Sequence, residues 1–267
     1  CRTISFKENT RRFKIKTVHK LENKVAIITG ATSGMGKAIA TSFVANGAQV
    51  ILSGRDETRG NSLSAELGEN AVFVAGDIRI SKYNEQLVKA AIHHFGKLDI
   101  VSMNAGILGI GSVTDLPDQL WKNTMDTNLS SIFYLSKYAI PELRKNEGSS
   151  ILINASIAAY KSFPNHPAYC ASKAGALALM RQMAVEYGPE IRVNAICPGP
   201  VDTPLLWNSA KAFDNPKKAV ENAADKTLLK RLGKPNEIAN LALFLVSDDA
   251  SWITGTAMTI DGGILNA

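Results

Sequence analysis

The chain has 267 residues, 45% of them apolar and 20% charged, a balance that excludes a disordered or collagen-like protein. No apolar run approaches the roughly 18 residues of a membrane span. The three cysteines, Cys1, Cys170 and Cys197, exclude a disulfide scaffold and fit a reducing, cytoplasmic setting.

The net charge of +6 is not spread over the chain. Residues 1–20 carry Arg2, Lys7, Arg11, Arg12, Lys14, Lys16 and Lys20 against Glu8 alone, leaving 23 basic and 23 acidic groups in residues 21–267. The tail is Arg/Lys-rich and acid-poor, as transit peptides are, and lacks the apolar stretch of a secretory signal. It begins with Cys1, and the first methionine is Met35. It reads as a misplaced start or an expression remnant, or as a targeting or binding arm. The balanced remainder gives no reason to expect a nucleic-acid or membrane partner.

From Leu21 onward two patterns alternate. Short β-rich apolar runs occur at Val25–Thr29, Val50–Leu52, Ala71–Val74, Asp99–Met103, Ser150–Asn154, Ile191–Ile196 and Thr256–Ile260. Between them lie stretches of helical period, near 35–46, 57–67, 81–95, 129–145, 168–187 and 236–246. Alternating strands and helices predict βαβ units and a parallel sheet. Continuously apolar strands predict helices on both faces, hence a doubly wound α/β fold with its ligand at the carboxyl ends of the strands. No internal repeat or interdomain linker is evident, so 21–267 is expected to be one domain. Residues 204–232 are polar and read as an irregular lid.

The first strand runs into Thr29-Gly30-Ala31-Thr32-Ser33-Gly34-Met35-Gly36 and then a helix. Glycines let the chain leave the strand tightly and let backbone N–H groups approach a phosphate at the positive end of a helix. The spacing is not GxGxxG, and simple packing of strand on helix is the other reading. The second strand ends in Ser53-Gly54-Arg55-Asp56, where an NAD site usually has an acid. Arg55 matches a 2′-phosphate in charge and fork geometry, and Ser33 can add a hydroxyl, so NADP is favoured over NAD. The alternatives are a solvated Arg55, or Asp56 turned toward a 2′-hydroxyl. Asp77 can accept from an adenine amino group with Ile78 against the ring, or simply cap its loop. At Asn104-Ala105-Gly106 small residues leave room for a ribose, and Asn104 can tie neighbouring strand ends.

Tyr169 and Lys173 are four residues apart and share a helix face. An ammonium near a phenol favours the phenolate, so Tyr169 can exchange a proton with a carbonyl or alcohol oxygen. The same spacing also occurs in plain surface pairs. Ser156, just past a strand end, can hydrogen-bond the reacting oxygen. Asn128 can hold a water that joins Lys173 to bulk solvent. In Cys197-Pro198-Gly199-Pro200-Val201-Asp202-Thr203, a tight turn brings the Val201 amide and Thr203 hydroxyl to where they can hold a carboxamide. His19, His93, His94 and His166 lack metal-ligand spacing, and no metal is expected. His93-His94 reads as an exposed helix end, and His166 as a solvent-facing residue near the cleft. Cys170 and Cys197 read as packed thiols.

Together the TGxxxGxG turn at 29–36, the Asn-Ala-Gly at 104–106, the ordered set Asn128, Ser156, Tyr169 and Lys173, the Pro198-Gly199 turn, Ile253-Thr-Gly255 and Asp261-Gly-Gly263 resemble the short-chain dehydrogenase/reductase family over about Leu21 to Gly263. The resemblance implies a Rossmann fold with a seven-stranded sheet and a proton relay through Tyr169 and Lys173, supported by Ser156 and Asn128. It also implies a homotetramer in which helices near 129–145 and 168–187 meet across a dimer interface. Ala168, Ala171, Ala174, Ala176 and Ala178 suit that packing, and suit an internal helix equally. The substrate expected is a small to medium ketone or secondary alcohol. A ketoacyl reductase acting on a carrier protein is a rival, weakened because Glu147 and Glu190 stand where basic residues would meet an acidic carrier. A catalytically dead dinucleotide sensor with a nucleic-acid-binding arm is a rival of another class, opposed by the complete catalytic set.

Overall fold

The computed structural model describes residues 19–267, so the basic tail lies almost wholly outside it. Seven parallel strands form one sheet: β1 (Val25–Thr29), β2 (Gln49–Gly54), β3 (Ala71–Ala75), β4 (Ile100–Met103), β5 (Ser149–Asn154), β6 (Ile191–Pro198) and β7 (Ala257–Ile260). Their order is β3-β2-β1-β4-β5-β6-β7. The order reverses between β1 and β4, which pair in register from Ala26↔Ile100 to Thr29↔Met103. At such a reversal the crossovers leave on opposite faces and open a crevice at the carboxyl ends.

The strands alternate their side chains between two cores. Val25 and Ile27 of β1 point into one, with Leu87 of α3 (Ser81–Phe95), Leu135 of α5 (Ser131–Leu143) and Met180 of α6 (Pro167–Tyr187). Ala26 and Ile28 point into the other, with Leu63 of α2 (Glu57–Leu67), Ile39 and Phe43 of α1 (Gly34–Ala45), and Leu245 of α9 (Pro235–Val246). Burial on both faces is why these strands lack polar alternation.

Two expectations need correction. A further helix, α4 (Asp118–Met125), precedes α5 and joins it through a π turn at 126–130. It is short and polar, so helical periodicity over a long window does not reveal it. The lid is not irregular: it contains α7 (Pro204–Ala210) and α8 (Pro216–Asp225). Thr203 caps α7 by accepting from Leu206 N, Asn215 caps α8 by accepting from Lys218 N, and each cap is followed by a first-turn proline. Thr-Pro and Asn-Pro were therefore legible start signals in a stretch whose polarity suggested a loop.

Candidate active site

The glycine turn is built by close approach. Gly30 has φ +62°, and a Cβ there would lie 2.9 Å from Ala105 Cα. A Cβ on Gly36 would lie 2.2 Å from the Gly30 carbonyl oxygen, so Gly36 serves to seat α1 against the end of β1. Gly34, at φ +54°, faces the Thr203 methyl group. Ser33 caps α1 in extended backbone without a side-chain bond, leaving its hydroxyl able to donate outward. Thr32 lies over Gly54 at the end of β2, where a Cβ would come within 2.6 Å of its methyl. Met35 is held from across the crevice by Asn154 Nδ2, 3.7 Å from its sulfur.

Just past β2, Arg55 is exposed. Asp56 is committed elsewhere. It accepts from Arg59 N (2.9 Å) and Arg59 Nε (2.7 Å) as the cap of α2, and these bonds hold its carboxyl below the usual range. Asp77 is also engaged. Arg79 grips it with Nε and Nη2, the latter at 2.6 Å, and holds its carboxyl low, while Arg79 Nη1 donates to Asn123 Oδ1 of α4. Ile78 is buried and lines the crevice beside Thr29, Met103 and Ala105. Asn104 does not tie β1 to β4 through its side chain, which donates to Ser102 of its own strand. The tie is the Thr29 hydroxyl, which accepts from Asn104 N (3.0 Å) and Ala105 N (3.2 Å).

Helix α6 carries Tyr169 half-buried and Lys173 buried. Lys173 Nζ donates to the Asn154 carbonyl (2.7 Å) at the end of β5 and lies 5.6 Å from the Tyr169 ring centre. Burial lowers the ammonium to about 8. Burial pushes the Tyr169 phenol up, and the Ser156 hydroxyl opposes it. The expected lowering of the phenol by Lys173 is not found: burial raises it, and the ammonium is directed at the Asn154 carbonyl instead. Ser156 Oγ accepts from Ala158 N (3.1 Å), which fixes the oxygen and leaves its proton free to donate.

The Asn128 side chain makes no direct hydrogen bond to Lys173. Its Oδ1 accepts from Ile107 N (2.9 Å), and its Nδ2 donates to Ile107 O (2.8 Å) and Ser172 Oγ (3.0 Å). It fixes the loop beside Gly106, where a Cβ would stand 3.4 Å from Asn128 Oδ1 and 3.7 Å from Lys173 Nζ. Beyond β6, Gly199 passes so close to Asp261 that a Cβ would sit 2.7 Å from its Cα, and Gly199 N donates to Ile260 O. Pro198 ends β6 opposite Ile260, and Val201 bridges to Gly233. The Thr203 hydroxyl is occupied in capping: it donates to Val201 O and accepts from Leu206 N.

His166 is a further correction. It is 4% exposed, not solvent-facing, with Nδ1 2.6 Å from Pro164 O and Nε2 3.0 Å from Ser209 Oγ of α7. Sequence gave no signal for this bond, because its partner lies 43 residues away on the lid. The roles of Thr29 and of the Asn154 carbonyl were equally silent, since a backbone acceptor has no residue-type signature. Cys197 is buried, whereas Cys170 is only partly so. Among the described residues no group of histidines, cysteines and acids could hold a metal, and no helix is long and apolar enough to cross a membrane.

A family model described as "Enoyl-(Acyl carrier protein) reductase" matches residues 30–265. An uncharacterized oxidoreductase of Thermotoga maritima is 38% identical, covering 91% of this chain and 97% of that relative. Dehydrogenase/reductase SDR family member 4 of Bos taurus is 35% identical over 92% and 88%. Among solved structures, a short-chain dehydrogenase/reductase (glucose/ribitol dehydrogenase) of Brucella melitensis superposes with a TM-score of 0.86 at 35% identity, covering 92% of this chain and 98% of that one. Aldohexose dehydrogenase of Thermoplasma acidophilum gives 0.86 at 31% identity, over 94% and 97%. With the sheet order, the glycine turn and the Ser156, Tyr169 and Lys173 arrangement, these similarities make the chain a member of the short-chain dehydrogenase/reductase family of NAD(P)-dependent oxidoreductases.

Proposed function

We propose that the protein is an NADP(H)-dependent oxidoreductase that interconverts a small to medium ketone and its secondary alcohol, with Tyr169 as the general acid/base. The observation that carries this reading is the Tyr169–Lys173 pair, one turn apart on α6, with Lys173 buried against Asn154 and Ser156 beside the phenol. The residues fit a dinucleotide. The turn of Gly30, Thr32, Ser33, Gly34, Met35 and Gly36 presents the start of α1 to a pyrophosphate. A bare backbone strip at Asn104, Ala105 and Gly106 lies over Lys173 and Asn128. Pro198, Gly199, Val201 and Thr203 shape the far wall, and Thr203 acts there through its packing on Gly34. Arg55 favours NADP because it is exposed beside the turn, while Asp56, the residue that would favour NAD, is held by Arg59. Asp77 and Ile78 border the adenine side.

The bound nicotinamide supplies or accepts the hydride. The chain's residues handle the oxygen and its proton. Ser156 donates to the substrate oxygen and fixes it near Tyr169. The Tyr169 Oη gives its proton to that oxygen in reduction and takes it back in oxidation. Positive charge on Lys173 eases the departure of the phenolic proton. Asn128 supports the set by holding the loop that carries Gly106. The two solved relatives are named as a glucose/ribitol and an aldohexose dehydrogenase, which supports a hydroxyl-bearing substrate. An acidic carrier protein is disfavoured because Glu147 and Glu190 stand at the expected docking edge and Arg144 is paired there with Glu190 at 2.7 Å. A homotetramer is part of this reading, as is a cytoplasmic setting. Ala171, Ala174 and Ala178 form an exposed small-residue face on α6, whereas Ala168 and Ala176 are internal.

The test is a screen of ketones and alcohols with both cofactors. NADPH or NADP⁺ should give the lower Michaelis constant, and Arg55→Ala should remove that preference. Tyr169→Phe should lose about 10²-fold or more in turnover while binding NADPH as before; unchanged turnover would reject the mechanism.

A further inference from the structure

The lid helix α7 has two anchors. At its start, Thr203 and Pro204 pack on the glycine turn: a Cβ on Gly34 would lie 3.4 Å from the Thr203 methyl carbon and 3.9 Å from Pro204 Cδ. Near its end, Ser209 Oγ lies 3.0 Å from Nε2 of His166. His166 caps α6, and its backbone oxygen accepts from Cys170 N. Seven residues of helix span about 10 Å, so α7 crosses the mouth of the cleft from the glycine turn to the helix that bears Tyr169.

The protonation pattern of the imidazole follows from its neighbours. Pro164 O can only accept, so Nδ1 carries the proton and donates to it at 2.6 Å. In the neutral ring Nε2 is then an acceptor, and the Ser209 hydroxyl donates to it. The ring is fixed further by edge contacts with Phe163 and Tyr169, each 6.4 Å between centres. Among the described residues this is the one side-chain hydrogen bond between α7 and the start of α6. Elsewhere in α7, Trp207 is 43% exposed with its indole N–H donating to Asp202 (2.9 Å), Leu205 and Leu206 are half-buried, and Ala210 is buried.

We propose that His166 is a positioning residue that latches α7 shut through Ser209, so that lid closure is registered to Tyr169 three residues along the same helix and sets the affinity for the carbonyl or alcohol substrate. This rests on the reading of Tyr169 as the reacting group, but the latch can be tested without it. Hydrogen exchange of the α7 amides needs no substrate. In Ser209→Ala and His166→Ala, exchange over 205–210 should quicken about fivefold, the equivalent of one net hydrogen bond. The double variant should be no faster than the faster single one, because the two groups make one bond. The Ser209→Thr variant, which keeps the hydroxyl, should exchange like the wild type, and exchange in β5 and β6 should not change in any variant.

With ethyl acetoacetate as the carbonyl probe and NADPH in excess, Ser209→Ala should raise the Michaelis constant about fivefold, leaving kcat and NADPH affinity within about twofold. Unchanged α7 exchange in both alanine variants would overturn the latch. So would a fall in kcat at constant Michaelis constant, which would place His166 in the chemistry instead. A wild type that turns over no carbonyl would reject the proposed function and leave the exchange result to decide the latch.

Discussion

Lys173 is where burial and chemistry meet most sharply. Removed from water, its ammonium is lowered from 10.5 to about 8. Between these values the unfolded chain binds more protons than the folded one, so stability should rise with pH from about 8 to 10.5 and be flat below. A shift of this size corresponds to on the order of 3 kcal/mol. Urea unfolding at pH 7.5 and at pH 10 should show the rise in the wild type, and Lys173→Met should lack it. An equal rise in both proteins would mean that other groups govern the alkaline limb. The residue types of this site were readable in one dimension: Tyr169, Lys173 and Ser156, the residues proposed to handle the proton, were named from type and spacing alone. Their states were not. The phenol is raised where a lowered one was expected, Asp77 is gripped by Arg79, and His166 is enclosed. The raised phenol and the enclosed imidazole follow from burial by distant parts of the chain, whereas the Asp77–Arg79 grip joins residues two apart whose loop geometry only the fold sets.

Elements meet at the glycine turn with little clearance. The Gly36 Cβ position lies 2.2 Å from a backbone oxygen, a contact that no rotamer change relieves, so α1 must move away from β1 to admit a methyl group. Gly36→Ala should therefore cost about 1–3 kcal/mol or more in urea unfolding and weaken dinucleotide binding, because the start of α1 is displaced with it. Gly68→Ala is the contrast: nothing lies within 4 Å of its Cβ position, so any penalty there comes from its φ of +73° alone. The strands and longer helices were legible at this scale because their apolar period reports directly on burial. The short helices α4, α7 and α8 were not, since fewer than three turns leave too few residues for a helical period to be counted. In the lid, the capping residues Thr203 and Asn215 carried the signal that periodicity lacked.

At the scale of the molecule, apolar surface remains to be covered. Trp252 is 99% exposed and Val185 81%, and the loop between them and Gly255 passes beside Ala184 at the end of α6. Phe133 of α5 is 53% exposed. If the proposed tetramer uses these surfaces, Trp252→Arg combined with Val185→Glu should lower the mass measured by light scattering while leaving the far-UV spectrum intact; an unchanged mass would place the interface elsewhere. The sequence by itself determined the alternation of strands and helices, the two-sided burial of the sheet, and the family set of glycine turn, Ser156, Tyr169 and Lys173. These are patterns between residues near one another along the chain, or pieces of chemistry that residue type alone declares. Only the tertiary structure decided that Lys173 bonds the Asn154 carbonyl, that Thr29 joins β1 to β4, and that the lid meets the start of the Tyr169-bearing helix at His166. Those contacts join residues 19 to 75 positions apart, and they exist because the crossovers of the sheet bring its carboxyl ends to one crevice.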